Sequence, residues 1–106
     1  MKIFNKTKNK HIDGNVKVLK SLREKSRGLR GALDFRGVYF ETRWGIHTFG
    51  MREDIDVVIL DSQNIARDVW KNMKPNQIFV WNPRWRKVLE VFPGSKIDKG
   101  DQLEMS

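Results

Sequence analysis

Ile55-Asp56-Val57-Val58-Ile59-Leu60 is aliphatic at every position but one, Asp56. Side chains alternate across a strand, so a run this apolar presents oily groups on both faces. Such a run belongs inside a sheet with a layer on each side. Asp56 is then drawn into the core with its neighbours. A carboxylate there persists only with hydrogen-bond or ion-pair partners. It is therefore either a structural knot or part of a site.

The segments around this run are short and rich in β-branched or aromatic residues. They are Val38-Tyr39-Phe40, Ile46 to Phe49, Ile65 to Trp70, Ile78 to Trp81 and Val88 to Phe92. Turn signals separate them: Asp61-Ser62-Gln63-Asn64, Lys74-Pro75-Asn76, Asn82-Pro83 and Pro93-Gly94. This punctuation predicts a mainly β fold, a small barrel-like or sandwich antiparallel β domain. Asp13-Gly14 predicts a hairpin with strands near 8–12 and 15–20. Ser21 and Glu24 form a capping box, and Leu22, Ser26, Leu29 and Leu33 share one helical face. One short helix is predicted near 21–30, ended by Gly31 and dependent on packing because of Gly28.

At 106 residues the chain is expected to be a single domain, 1–106. It has no cysteine, which excludes disulfides and thiolate chemistry. No apolar run reaches the ~18 residues of a membrane span. No apolar stretch follows the charged start Met1 to Lys6, so no secretory signal is expected and a cytoplasmic location follows. The net charge of +8 favours polyanionic partners such as RNA or DNA, though a lysine-rich surface also serves solubility alone.

Two groups of residues could carry chemistry. His47, Thr48, Met51, Arg52 and Asp56 form the first, a pocket in which Arg52 binds an anion and His47 exchanges a proton with Asp56 orienting it. Against this stands an internal network, with Asp56 accepting from backbone amides or from Arg52. In a regular strand His47 and Thr48 point to opposite faces, so a shared pocket needs a bulge. No Gly-x-Ser-x-Gly elbow surrounds Ser21, Ser26, Ser62 or Ser95. His47, Glu53, Asp54 and Asp56, with His11 at a distance, lack the paired spacing of zinc or calcium ligands. Neither a metal nor a cofactor is expected.

The second group is Trp81, Arg84, Trp85 and Arg86, within Trp81-Asn82-Pro83-Arg84-Trp85-Arg86-Lys87. Rings interleaved with cations suit single-stranded nucleic acid, where bases stack on indoles and guanidiniums meet phosphate. The alternative is that the tryptophans cap the end of the β core under arginine stems. Arg23, Arg27 and Arg30 make a second basic stripe, and Lys2, Lys6, Lys8 and Lys10 a third.

Taken together, Arg23, Arg27-Gly28-Leu29 and Gly31, then Ile46-His47-Thr48-Phe49-Gly50-Met51-Arg52 and Ile55 to Asp61, then Val88-Leu89-Glu90-Val91, Gly94 and Gly100-Asp101 resemble the Domain of Unknown Function 192 family, in its cytoplasmic form. The resemblance covers nearly the whole chain and implies a compact, mainly β domain with a helix against a barrel-like sheet. It implies no reaction. It also implies that Arg23 and Arg27 belong to the helix motif and pair structurally. The chain departs from the family pattern at Glu53-Asp54, where an apolar residue and a proline are usual. It is also shorter than usual between Gly31 and Val38 and between Gly94 and Gly100.

The function expected from these features is a non-enzymatic binding module for an anionic partner such as RNA or single-stranded nucleic acid. Two alternatives stand beside it: a ligand or enzymatic pocket around His47, Arg52 and Asp56, and a protein-interaction module using an exposed Trp81/Trp85 patch.

Overall fold

The computed structural model describes residues 1–12, 14–20, 35–42, 45–47, 54–74 and 77–106. These residues form ten strands: β1 (Ile3–Asn5), β2 (Lys10–His11), β3 (Val16–Val18), β4 (Gly37–Glu41), β5 (Ile46–His47), β6 (Ile55–Leu60), β7 (Ala66–Met73), β8 (Ile78–Phe79), β9 (Lys87–Val91) and β10 (Leu103–Met105). A five-stranded sheet runs in the order β3-β4-β9-β6-β7, a three-stranded sheet in the order β10-β1-β2, and β5 pairs with β8. The helix expected near 21–30 lies outside the described residues.

Three features depart from the sequence expectation. Among the described residues the sheets do not close into a barrel, because β3 and β7 are edges that no ladder joins. The ladders are antiparallel except one: β3 pairs with β4 in parallel, Val16 opposite Gly37 and Val18 opposite Tyr39. Nor do 8–12 and 15–20 form a hairpin. β2 folds back on β1, Phe4 opposite His11, while β3 joins the other sheet. Burial explains the choice. Val16 is apolar enough to extend the main core, whereas the polar residues Lys10 and His11 are exposed and suit the edge of the small sheet.

β6 is sealed at all six positions, as its composition requires. Ile55, Val57 and Ile59 face one cluster, with Val38, Phe40, Met73 and Val88. Phe35, Trp70, Trp81, Trp85 and Phe92 pack against it. Val58 and Leu60 face the other cluster, with Leu89, Val91 and Ile97. Ile3 of β1 and Leu103 of β10 join this second cluster, so the three-stranded sheet covers the large sheet there. Each fully buried Val, Leu or Ile contributes about 1.5–3 kcal/mol, making β6 and β9 the anchor of the fold.

Opposite Asp56 the β6–β7 ladder slips. Ile55 pairs with Met73 but Val57 pairs with Trp70, so Asp56 alone stands against Lys71 and Asn72. This is a β-bulge. Asn72 takes it up with φ +55°, a left-handed conformation that asparagine tolerates better than most residues. The bulge removes the Asn72 N–H from the ladder, and Asp56 Oδ1 accepts it at 2.9 Å. Ser95 Oγ donates to Asp56 Oδ2 at 3.1 Å. The carboxylate is 2% exposed and hydrogen-bonded at both oxygens.

A second polar knot fastens the two ends of the described fold together. Asn5 is fully buried and donates Nδ2–H to Asp101 Oδ2 at 2.8 Å. The same oxygen accepts the Asp98 N–H at 2.9 Å and lies 3.1 Å from Lys8 Nζ. Asp98 in turn bonds to Lys8 and, at 2.7 Å, to Lys71. Beside this network β1 pairs with β10 over Ile3–Met105, Phe4–Glu104 and Asn5–Leu103.

Candidate anion-binding surfaces

Asp56 sits on the strand face that carries Val58 and Leu60, against Ser95 and the bulge in β7. The structure describes the backbone of His47, which pairs with Ile78 in the β5–β8 ladder. Thr48, Met51 and Arg52 lie outside the described residues. What the structure gives for the first predicted pocket is therefore Asp56 with an internal occupation for each oxygen: a backbone amide and a serine hydroxyl.

The second predicted group falls on the turn between β8 and β9. Trp85 N–H donates to Asn82 O at 3.1 Å, and Arg84 N–H to Asn82 Oδ1 at 3.0 Å. Trp81 Nε1–H crosses the turn to Trp85 O at 2.6 Å. Thr42 N–H reaches Arg86 O at 2.8 Å and ties the turn to the end of β4. Both indoles are half-buried against the first apolar cluster, and the Trp81 ring lies 6.1 Å from that of Trp70. Arg84 and Arg86 are exposed. The turn is thus rigid, its rings are partly open, and its two guanidiniums stand in solvent.

At the opposite end of the β4–β9 ladder, five residues and roughly 15 Å of strand away, lies a cleft of about 290 Å³. Lys10, His11, Arg36 and Lys96 contribute its basic lining, with Phe92, Pro93, Gly94 and Ser95 along one wall. Lys10 figured in the sequence only as one of several terminal lysines, and His11 as a distant metal ligand. Arg36 and Lys96 carried no signal. Their convergence depends on three chain segments that β1–β2, β4 and the 93–96 turn bring together, and no linear motif encodes it.

Elsewhere, carboxylates are engaged in holding loops. Asp61 accepts the Gln63 N–H at 2.9 Å and the Ile65 N–H at 3.0 Å, and pairs with Arg67 Nε at 2.7 Å. Burial pushes the Asp61 pKa up, but the Ile65 amide, Arg67 and the Gln63 amide together hold it below the ordinary value. Glu90 is 3% exposed on the face of β9 that meets Val38 and Val57. Among the described residues, no group of three or more His, Asp or Glu could hold a metal ion. No helix among them is long and apolar enough to cross a membrane.

The chain is 37% identical over 101 residues to a UPF0127 protein of Pyrococcus horikoshii, spanning 89% of this chain and 86% of that one. No protein-family model matches it. Two crystal structures share the fold. One is a protein of unknown function from Novosphingobium aromaticivorans, with a TM-score of 0.76 at 16% identity, covering 98% of this chain and 82% of that one. The other is "a putative transcription regulator" from Sinorhizobium meliloti, with a TM-score of 0.72 at 18% identity, covering 97% and 89%.

Proposed function

The chain belongs to uncharacterised protein family 0127, also called Domain of Unknown Function 192, and from that premise we propose that it is a non-enzymatic binding module for single-stranded nucleic acid. The observation that carries this reading is the rigid turn 81–86, which holds two half-open indoles beside the exposed Arg84 and Arg86. Bases stack on such rings whatever their sequence, and arginines beside them meet the phosphates. A net charge of +8 draws the polyanion in. The description of the Sinorhizobium meliloti protein is in keeping with a nucleic-acid partner, although 18% identity carries the fold and not the role.

Binding to a single-stranded RNA oligonucleotide, titrated with salt, tests the reading. Affinity should fall steeply as salt rises, because neutralised phosphates release their counterions. Trp85→Ala should weaken binding by about 1–3 kcal/mol. Since Trp85 also packs on the core, Arg84→Gln with Arg86→Gln serves as the surface variant that leaves the fold intact. Affinity equal to that of a lysine-rich control protein, or unchanged in the double arginine variant, would overturn the reading.

A second reading has one observation in its favour. Ile78 and Val80 are 67% and 72% exposed just before Trp81. Large aliphatic groups left in water beside aromatic rings suit a protein partner. Ile78→Ser with Val80→Ser separates the two readings: it removes a protein contact and leaves RNA affinity as it was.

A further inference from the structure

The cleft at the far end of the β4–β9 ladder is built separately from the tryptophan turn. Among the described residues that line it, the formal charge at neutral pH comes from Lys10, Arg36 and Lys96, and none is an aspartate or glutamate. The imidazole of His11 completes the basic wall. Like charges gathered in one concave cleft create a positive potential that draws an anion in.

Arg36 and His11 are also held in place. A Cβ at Gly14, which adopts φ +84°, would fall 1.9 Å from Arg36 Cγ, so the arginine stem occupies the space that glycine leaves. On its other side the Arg36 guanidinium lies 5.7 Å from the centre of the Phe92 ring. Its backbone is fixed by Arg36 N–H to Asn15 O at 2.9 Å and by Phe92 N–H to Arg36 O. The His11 ring packs on Phe4 with centroids 4.7 Å apart. The Lys96 carbonyl accepts from Lys8 Nζ at 3.1 Å, and Ser95 is anchored through its hydroxyl to Asp56. The Ser95 hydroxyl hydrogen is thus already engaged in its hydrogen bond to Asp56, which leaves donation to a ligand with the cations and His11. Preorganisation of this kind lowers the ordering cost of binding.

We infer that this cleft binds the phosphate group of a small phosphomonoester, with Arg36 as the bidentate anchor and Lys10 and Lys96 closing on the remaining oxygens. A phosphomonoester carries close to two negative charges at neutral pH and three acceptor oxygens, which matches a guanidinium fork and two ammonium groups. The volume, about 290 Å³, lies near the lower bound of small-molecule pockets and leaves room for an organic group beyond the phosphate. A polymer strand needs an extended groove instead.

Isothermal titration calorimetry at constant ionic strength decides the matter, with inorganic phosphate, ribose 5-phosphate, ribose and a 5′-phosphorylated RNA oligonucleotide as probes. Saturable binding of ribose 5-phosphate, tighter than phosphate and absent for ribose, is expected. Arg36→Gln and Lys96→Gln should each weaken it about tenfold or more, while Arg84→Gln leaves it unchanged. Thermal unfolding of each variant shows that the fold persists, since these side chains are exposed. No saturable binding, or equal binding in Arg36→Gln and Lys96→Gln, would overturn the inference. So would an affinity for the phosphorylated oligonucleotide that, in the Arg84→Gln and Arg86→Gln double variant, still exceeds that for ribose 5-phosphate and is lost on adding Arg36→Gln, which would give the cleft to the polymer. Failure of the tryptophan-turn reading would appear in the Arg84 and Arg86 variants alone, so the two outcomes are distinct.

Discussion

Asp56 Oδ1 accepts the backbone N–H of Asn72 at 2.9 Å, the amide that the β-bulge in β7 takes out of the ladder. One side chain thereby accounts for both a buried carboxylate and a left-handed asparagine. Asp56→Ala would strand that amide and the Ser95 hydroxyl in the core. An unsatisfied buried donor costs about 1–3 kcal/mol, so the loss should be about 2–4 kcal/mol in urea unfolding. Asn72→Gly should be nearly neutral, because glycine accepts φ +55° freely, whereas a β-branched residue there should cost more than Asn72→Ala.

Asn5, Lys8, Asp98 and Asp101 make the closure of the fold sensitive to acid. Burial pushes the Asp101 carboxyl up, but the Asn5 amide, the Asp98 N–H and the Lys8 ammonium outweigh it and hold the group below its ordinary value. Lys71 first, and then Lys8, bring Asp98 down to about 2. Carboxyls lowered in the folded chain bind protons more readily when it unfolds, so stability falls with pH. Their contribution is whole above the ordinary value of 3.8 and is lost as pH drops from there toward 2. Urea midpoints measured from pH 6 to pH 2 should fall mainly in that window. Asp101→Asn should flatten the curve while lowering the plateau.

What the sequence disclosed follows from how local each signal is. β6 was legible at both ends because a doubly apolar run has few other uses, and the burial of Asp56 followed from it. The bulge was not legible: it depends on the register of β7 against β6, and nothing in Arg67 to Asn72 announces an extra residue. β1 and β10 were missed as partners because each is short and interleaved with polar residues, and they are stabilised by a pairing about a hundred residues apart in sequence. Asp13-Gly14 misled for the same reason, since a good turn pair does not say which sheet takes the following strand. The tryptophan turn was visible as a linear motif, whereas the basic cleft was not, because it is assembled from Lys10, Arg36 and Lys96 across the chain.

Tyr39 offers a single-residue report on the interior, being the only tyrosine in the chain. Burial, with a smaller push from Glu41, raises its phenol to about 12. An ultraviolet titration at 295 nm should therefore show little phenolate at pH 10.5, where a free tyrosine is largely ionised. A group whose pKa is raised by folding contributes stability that is whole below the ordinary value of 10.0 and is lost as pH rises through about 12. Tyr39→Phe should retain the fold and remove that alkaline loss. A phenol titrating near 10 in the folded chain would contradict this placement of the half-buried Tyr39 side chain.

Gly37 begins β4 where two backbones run unusually close. A Cβ at this position would lie 2.7 Å from the Glu90 carbonyl oxygen and 2.6 Å from Val91 Cγ1. The valine methyl could turn away, but the carbonyl belongs to the β4–β9 ladder and cannot move without opening it. Gly37→Ala should therefore destabilise the chain by about 1–3 kcal/mol, the usual cost of overpacking, even though alanine is only one carbon larger. Because Gly37 pairs with Val91 at the end of β9 that leads into the cleft wall, the same substitution should also shift Phe92 and Arg36. Comparing urea unfolding with ribose 5-phosphate affinity for Gly37→Ala and for Gly100→Ala separates these effects. The space beside Gly100 is open and Gly100 is not among the residues lining the cleft, so substitution there strains only the backbone. A Gly37→Ala chain as stable as the parent would mean that the β4 and β9 backbones are farther apart than these distances indicate.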